Sequence, residues 1–301
     1  MKRRSVTLLE GALFLTALMT FVSVLGTAAH AADLDDVRQR GVLRHLGIPY
    51  ANFVTGTGDG MDVELTTMFA GYLGVKYEYV ATDWGTVVPD LTGRKVKVKG
   101  ADVEMLEEAP VKGDMIANGF TVLPWRQKVV NFSKPTFPSQ IWLIARADSV
   151  VTPIKPTGDI DKDIEATRAL MKGKAVMALE KTCLDPSLYD FQAAGAEVIL
   201  FKGKLNELAP AVINNEAEMT ILDVPDALVA LGKWPGKIKI IGPVSKKQVM
   251  GAGFTKDSPK LLEEYNKFLD KTQQDGSYMK IVKKYYPSAT AYFPDFFTSF
   301  Q

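Results

Sequence analysis

Two charged residues stand where a charge needs a partner. In "GFTVLPWRQKVVNF" (119–132), Arg126 follows an apolar stretch, a Pro and a Trp, and Val129 and Val130 come directly after it. A guanidinium held away from water is costly unless an anion meets it. Its planar fork suits a carboxylate, which it can hold through two charge-assisted hydrogen bonds. That carboxylate belongs either to the chain or to a ligand. Asp223 poses the opposite case. It ends the apolar strand "MTILD" (219–223), where an ammonium would relieve its charge. It also precedes "VPDALVAL", so it reads equally as a helix N-cap ahead of a first-turn Pro.

Little else in the chain suggests covalent or metal chemistry. The 301 residues hold one Cys, Cys183, and two His, His30 and His45. A single Cys permits no intramolecular disulfide. His45 lies in the apolar strand "VLRHLGI" and reads as a core or pocket-floor residue. So few His make His-rich metal sites and a Ser–His–Asp triad untenable. The Asp and Glu residues have no calcium-loop spacing. "TGTGDG" (55–60) lacks the Lys-Ser/Thr of a phosphate loop and reads as a hairpin turn. No catalytic residue, metal or cofactor is expected.

The N-terminus reads as a cleaved secretory leader over residues 1–31. Lys2, Arg3 and Arg4 precede an apolar run from Leu8 to about Gly26, and "TAAHAAD" supplies a small-residue cleavage site after Ala31. The mature chain is therefore expected in the periplasm. Losing the leader removes three of 36 basic and one of 35 acidic residues, leaving a net charge of −1. Such a surface has no preference for nucleic acid.

Downstream, strands alternate with helices, which points to an α/β fold. "VLRHLGI" (42–48), "VKYEYVAT" (75–82), "QIWLIARADS" (140–149), "AEVILFKG" (196–203) and "MTILD" read as strands. Residues 33–41, 61–74, 162–172 and 205–218 read as helices, as do "SPKLLEEYNKFLDKTQQDG" and "SYMKIVKKYYP". The Arg126 block reads as a strand ending at a pocket. Residues 92–110 are different: basic "RKVKVK" then acidic "DVEMLEE", a solvated hairpin or excursion whose halves compensate each other's charge. "IWLIARADS" and "VMGAGFTKDS" are similar strands about a hundred residues apart. They suit a chain that crosses into a second lobe and returns. The expected layout is lobe 1 from 32–141 and 246–301, lobe 2 from 142–245, and a ligand cleft between them.

Several blocks resemble the extracellular solute-binding proteins of family 3, the polar amino-acid-binding components of ABC importers. "GMDVELTTMFAGYLGVKYEYV", "WGTVVPDL" and above all "GDMIANGFTVLPWRQKVVNFSKPTF" carry the resemblance, which extends over nearly the whole mature chain. It implies a type II periplasmic binding fold with two hinge-crossing strands. It also implies that Arg126 binds a ligand α-carboxylate, with Thr121 and the Gly119 backbone beside it. Tyr50 and Trp84 take the places of two aromatic walls, which can enclose an apolar side chain or attract a cation. Asp223 takes the place of the carboxylate that binds the α-amine. Lys181, Thr182 and Cys183 fall in the loop of "EKTCLD" that helps hold the carboxylate. The implied partners are a small amino acid or carboxylate and an ABC permease, with the protein a monomer.

The chain also departs from the family pattern. Lys181 replaces a Gly, Cys183 and Leu123 replace hydroxyl residues, Asn52 replaces a Pro, and Trp125 stands where a polar residue is usual. Gly47 stands where binders of basic amino acids carry an Asp, which argues against Lys, Arg or His as ligand. The aromatic tail "SATAYFPDFFTSFQ" lies outside the pattern and is expected to pack on a lobe. Two other functions fit the same cleft: a sensory module that delivers ligand to a receptor, and a dehydratase-like enzyme with Asp223 or Glu180 as general acid.

Overall fold

Local signals place the first elements. A computed structural model describes residues 32–56 and 58–298; the expected leader lies outside these residues. Asp33 and Asp36 form a reciprocal capping box at the start of helix Leu34–Arg40. In chain order the strands are β1 (Val42–Gly47), β2 (Lys76–Ala81), β3 (Arg94–Lys99), β4 (Asp102–Glu108), β5 (Met115–Ile116), β6 (Val130–Phe132), β7 (Phe137–Ser139), β8 (Ile141–Arg146), β9 (Ala175–Ala178), β10 (Glu197–Leu200), β11 (Met219–Asp223), β12 (Ile238–Pro243), β13 (Gln248–Met250) and β14 (Gly253–Thr255).

Two five-stranded sheets repeat one plan. The first has the order β2-β1-β5-β14-β6 and the second β10-β9-β11-β8-β12. In each, three neighbouring strands are parallel. Parallel neighbours need crossovers, such as helix Met61–Leu73 between β1 and β2. One strand in each sheet is antiparallel to both neighbours: β14 in the first and β8 in the second. β8 is the first sheet strand after the chain leaves the first half, and β14 the first after it returns. The crossings pair with each other, since β13 runs antiparallel to β7 with Gln248 opposite Ser139. The two similar stretches of sequence therefore have separate roles. "IWLIAR" is wholly a strand of the second sheet, while "QVMGAGFT" breaks at Gly251 into a crossing strand and a strand of the first sheet.

Two expectations need correction. The block before Arg126 is not a strand. Only Thr121 pairs, in an isolated bridge to Met250, and Pro124 then opens a one-and-a-half-turn helix, Pro124–Val129. Pro at the first helical position explains the switch, because its missing N–H and fixed φ suit a helix start. The helix read over 205–218 is also shorter. It is a 3-10 turn, Leu205–Glu207, followed by Leu208–Ile213, and the chain turns at Asn215 with φ +69°.

The excursion at 92–110 is the antiparallel hairpin β3–β4. Lys95 pairs with Glu107 at 2.9 Å and Lys99 with Glu104 at 2.6 Å, so its two halves do compensate each other. These pairs are exposed, so water and salt screen them. Lys128 binds Asp102 at 2.9 Å and ties the hairpin to the helix that carries Arg126.

The aromatic tail folds back onto the crossing. Phe293 stacks on Trp142 of β8 at 6.4 Å, and Phe297 meets Phe137 of β7 edge-on at 5.8 Å. Both tail rings are buried. Phe297→Ala should therefore lower stability by about 2–4 kcal/mol in urea unfolding. A loss below about 0.5 kcal/mol would mean that the tail does not pack there.

Candidate ligand-binding site

Arg126 is the charged centre of the site. Its side chain is only 2% exposed. The Nη1 atom donates to the Thr121 carbonyl at 2.9 Å, a contact set by the helix turn between them. The guanidinium lies 4.2 Å from the centre of the Phe120 ring, 5.4 Å from Trp125 and 5.7 Å from Trp84. Aromatic faces attract a cation, though less than a carboxylate does. Burial lowers its pKa to about 10, so it remains a cation at neutral pH. Among the described residues it forms no salt bridge, and its buried Nε has no hydrogen-bond partner. Asp114 is the contrast. This fully buried carboxylate, from the same block of sequence, is met by both Arg40 and Arg44.

Asp223 ends β11 and is fully buried. It occupies the N-cap position of helix Val224–Lys233, yet its side chain makes no capping hydrogen bond. The carboxylate instead accepts the Tyr50 hydroxyl from the opposite half of the molecule, and the Cys183 thiol at 3.2 Å. Burial raises its pKa to about 6 against these hydrogen bonds. Burial likewise pushes the Cys183 thiol up, so it stays protonated and donates. Asp226, one helical turn on, is also buried with its pKa raised by burial and by Asp223, and its Oδ2 has no partner. Two carboxyls therefore share a dry region, and neither forms a salt bridge among the described residues, although Arg126 is close enough to draw the Asp223 pKa down.

The remaining predicted residues separate into two groups. Tyr50, Trp84, Thr121, Arg126, Cys183 and Asp223 come together. The Tyr50 and Trp84 rings meet edge-on at 5.7 Å, and the buried Thr121 hydroxyl has no hydrogen-bond partner. A second cross-cleft bond runs from the Ala51 N–H to Asn206 Oδ1 at 3.1 Å. Gly119, Thr182 and Lys181 are engaged differently. The Gly119 N–H donates to Asp62 at 2.6 Å. Gly119 has φ +65°, and a Cβ there would lie 2.3 Å from the Phe53 ring, so only glycine fits. The Thr182 hydroxyl donates to the Leu179 carbonyl and accepts the Leu184 N–H, holding the loop rather than facing a ligand. Lys181 has φ +63°, in the left-handed region that favours glycine, and its exposed side chain lines the mouth of the cleft. That mouth is a cavity of about 410 Å³ between Ile48, Pro49 and Trp84 on one side and Leu179, Lys181 and Lys204 on the other.

Some participants were missed. Phe120, directly under the guanidinium, gave no signal beyond apolarity. Asp62 was visible as the acid of "GMDVEL", but nothing local said that it would hold Gly119. Tyr189 donates to the Cys183 carbonyl from a segment with no motif. His45 is a core residue, held between the Tyr77 hydroxyl and the Ala117 carbonyl, and burial lowers its pKa to about 4.

A family model for bacterial extracellular solute-binding proteins, family 3, matches residues 92–288. The chain belongs to this family. It is 24% identical over 276 residues to the "Probable amino-acid ABC transporter-binding protein" of Haemophilus influenzae, covering 89% of this chain and 94% of that protein. It is 25% identical over 238 residues to the "Membrane-bound lytic murein transglycosylase F" of Desulfosudis oleivorans, covering 77% of this chain. There the match spans only 45% of the relative's length. Its fold matches a crystal structure of a mutant ArgBP from T. maritima with a TM-score of 0.66 and 24% identity, covering 84% of this chain and 99% of that one. The family-3 solute-binding protein thus has the two-domain periplasmic binding fold that its sequence implies. Among the described residues, no helix is long and apolar enough to cross a membrane.

The buried acids give a pH signature. Burial raises the pKa of Asp62 from 3.8 to about 7. Between these values the native state keeps a proton that the unfolded chain releases, so this contribution to stability is full below about pH 4 and is lost as pH rises through 7. Asp62→Asn keeps an acceptor for the Gly119 N–H and removes the titration. Thermal melts from pH 4 to 8 should show the wild type losing stability relative to Asp62→Asn as pH rises. Parallel curves would place the Asp62 carboxyl in a solvated setting.

Proposed function

We propose that this family-3 protein captures an amino acid or a close carboxylate analogue in the periplasm and delivers it to an ABC importer. The observation that carries this reading is Arg126, a buried guanidinium with no carboxylate partner among the described residues. Arg126 takes the ligand α-carboxylate, aided by the unpartnered Thr121 hydroxyl. Asp223 takes the α-amine from the other half, while Tyr50 and Trp84 wall the side chain. The Tyr50 hydroxyl and Cys183 thiol then yield some or all of their hold on Asp223 to the ammonium. A ligand that touches both halves favours closure, because it gains contacts only in the closed form. The leader over 1–31, the lobe division at 141/142 and 245/246, the monomeric state and docking on a permease belong to the same reading. The name of the Haemophilus influenzae relative supports the transport role.

The enzymatic alternative has one observation in its favour. Asp223 is a buried carboxyl held near pH 6, in the range of a general acid. Turnover of a bound carboxylate, followed by mass spectrometry, would select that reading, and its absence with tight binding supports transport or sensing.

Calorimetric titration with free amino acids tests the site. Arg126→Ala should weaken binding by about 100-fold or more, since it removes a desolvated charge-assisted pair. Unchanged affinity would remove Arg126 from the site. Binding to the wild type should weaken roughly 10-fold from pH 7 to pH 5 as Asp223 gains its proton. Asp223→Asn should abolish that dependence.

A further inference from the structure

The turn that carries Tyr50 reaches across the cleft with two consecutive residues. The Tyr50 hydroxyl donates to Asp223 Oδ1, and the Ala51 N–H donates to Asn206 Oδ1 at 3.1 Å. Ala51 has φ +45°, a left-handed conformation that a residue with a Cβ adopts only when its surroundings hold it. They do so here. The Tyr50 carbonyl accepts the Phe53 N–H at 3.1 Å and the Val54 N–H at 3.3 Å. Asn52 donates through its N–H to the Tyr286 hydroxyl at 2.9 Å, and through Nδ2 to the Tyr285 carbonyl at 2.7 Å. Phe53 is fully buried, with its ring 5.3 Å from Phe137 and 5.1 Å from Tyr286. The end of helix Ser277–Tyr285 thus holds the turn, and the turn sets the position of the Tyr50 hydroxyl.

The two ends of the candidate site are unequally supplied. At Arg126 donors are in excess, since its Nε and the Thr121 hydroxyl have no partner. At Asp223 both oxygens are already met. Oδ1 accepts the Tyr50 hydroxyl, and Oδ2 accepts the Cys183 thiol at 3.2 Å. Asp226 is the other acid in this region, and burial and Asp223 push its pKa up, which favours its neutral form. Tyr50 and Asp223 are both wholly buried, so bulk water does not compete for their bond. One end of the cleft therefore lacks an anion, while the other has a donor of its own.

We infer that the Tyr50 hydroxyl stands in for a ligand α-amine, so that the cleft takes small carboxylates without an amine as well as amino acids. The inference rests on the proposed placement of the carboxylate on Arg126. An amino acid gains an ammonium contact with Asp223 and gives up part of the Tyr50 contact. An amine-free carboxylate keeps the Tyr50 contact whole. Its cost is one of charge, because Arg126 alone must balance the added anion, so it binds less tightly than its zwitterionic counterpart. The hydroxyl narrows the preference for amino acids that Asp223 would otherwise impose.

Calorimetry with three matched pairs tests this: L-phenylalanine with 3-phenylpropanoate, L-leucine with 4-methylpentanoate, and L-glutamate with pentanedioate. Within each pair that binds, the amine should be worth less than about 30-fold in affinity, the least expected of an ammonium on an otherwise unpartnered buried carboxylate. Tyr50→Phe keeps the ring wall and removes the donor. It should weaken the amine-free member and leave the amino acid as tight or tighter, raising their ratio at least about 5-fold. A merely structural role would weaken both members alike. Asn206→Ala removes the neighbouring bond and should cost both members equally. An amine worth more than about 30-fold, or a ratio unmoved by Tyr50→Phe, overturns the role of Tyr50 and leaves the cleft reading standing where Arg126→Ala weakens both members. The same rise in ratio in Asn206→Ala would assign the effect to the grip of the turn and overturns that role too. If none of the six probes binds, or if Arg126→Ala changes nothing, the cleft reading falls and the role of Tyr50 with it.

Discussion

A guanidinium away from water must be compensated, and the arrangement of this molecule follows from where that compensation comes from. Arg126 is enclosed by Phe120, Trp84 and Trp125 and bonded to one backbone carbonyl. Ring faces and one carbonyl reduce the desolvation penalty without cancelling it. Asp223 and Asp226 face the matching difficulty in the other half, where burial holds both pKa values up. Neither half neutralises its own charge, and the nearest internal relief is weak. The attraction between Arg126 and Asp223 is felt by both groups, yet they form no ion pair. A zwitterion placed between them would satisfy both at once, with the two charges in the right order.

The fold makes such a gap and keeps it narrow. Both sheets have the same order, with the strand that arrives from the other half inserted antiparallel beside the last strand. β8 and β14 lie inside their sheets, and the crossings β7 and β13 are short and paired with each other. The tail aromatics add contacts at this place, with Phe293 on β8 and Phe297 on β7. The two halves touch through polar groups, Tyr50 to Asp223 and Ala51 to Asn206.

Much of the fold was legible because its signals are local. Helical spacing over 33–41 and in the amphipathic pair near the C-terminus acts within a few residues, and the structure has those helices. The Arg126 block misled for the same reason. Apolar residues 119–123 look like a strand, but their neighbours across space leave room for one bridging residue, and Pro124 sets the helix. In the candidate site, Arg126, Thr121, Asp223 and Tyr50 stood out by motif, and the structure brings them near one another. Those fixed by packing did not. Phe120 lies under the guanidinium because the chain folds around it, and Asp62 reaches Gly119 across 57 positions. Thr182 shows the limit in reverse, since a hydroxyl at the expected position is consumed by its own loop.

Lys181 links the backbone to the chemistry at the cleft mouth. Its φ of +63° belongs to a conformation that glycine adopts freely and that disfavours a residue with a Cβ, at a cost of about 1–2 kcal/mol. Its N–H is held by Asp185, so the backbone shape is set by the loop and not by the side chain. Glycine would give the same loop with less strain, and the resembling family has glycine there. What lysine adds is an ammonium group at the junction of two cavities, opposite a hairpin that lies outside the family pattern. Gly47 is accounted for by packing: a Cβ there would lie 2.3 Å from the Tyr79 ring.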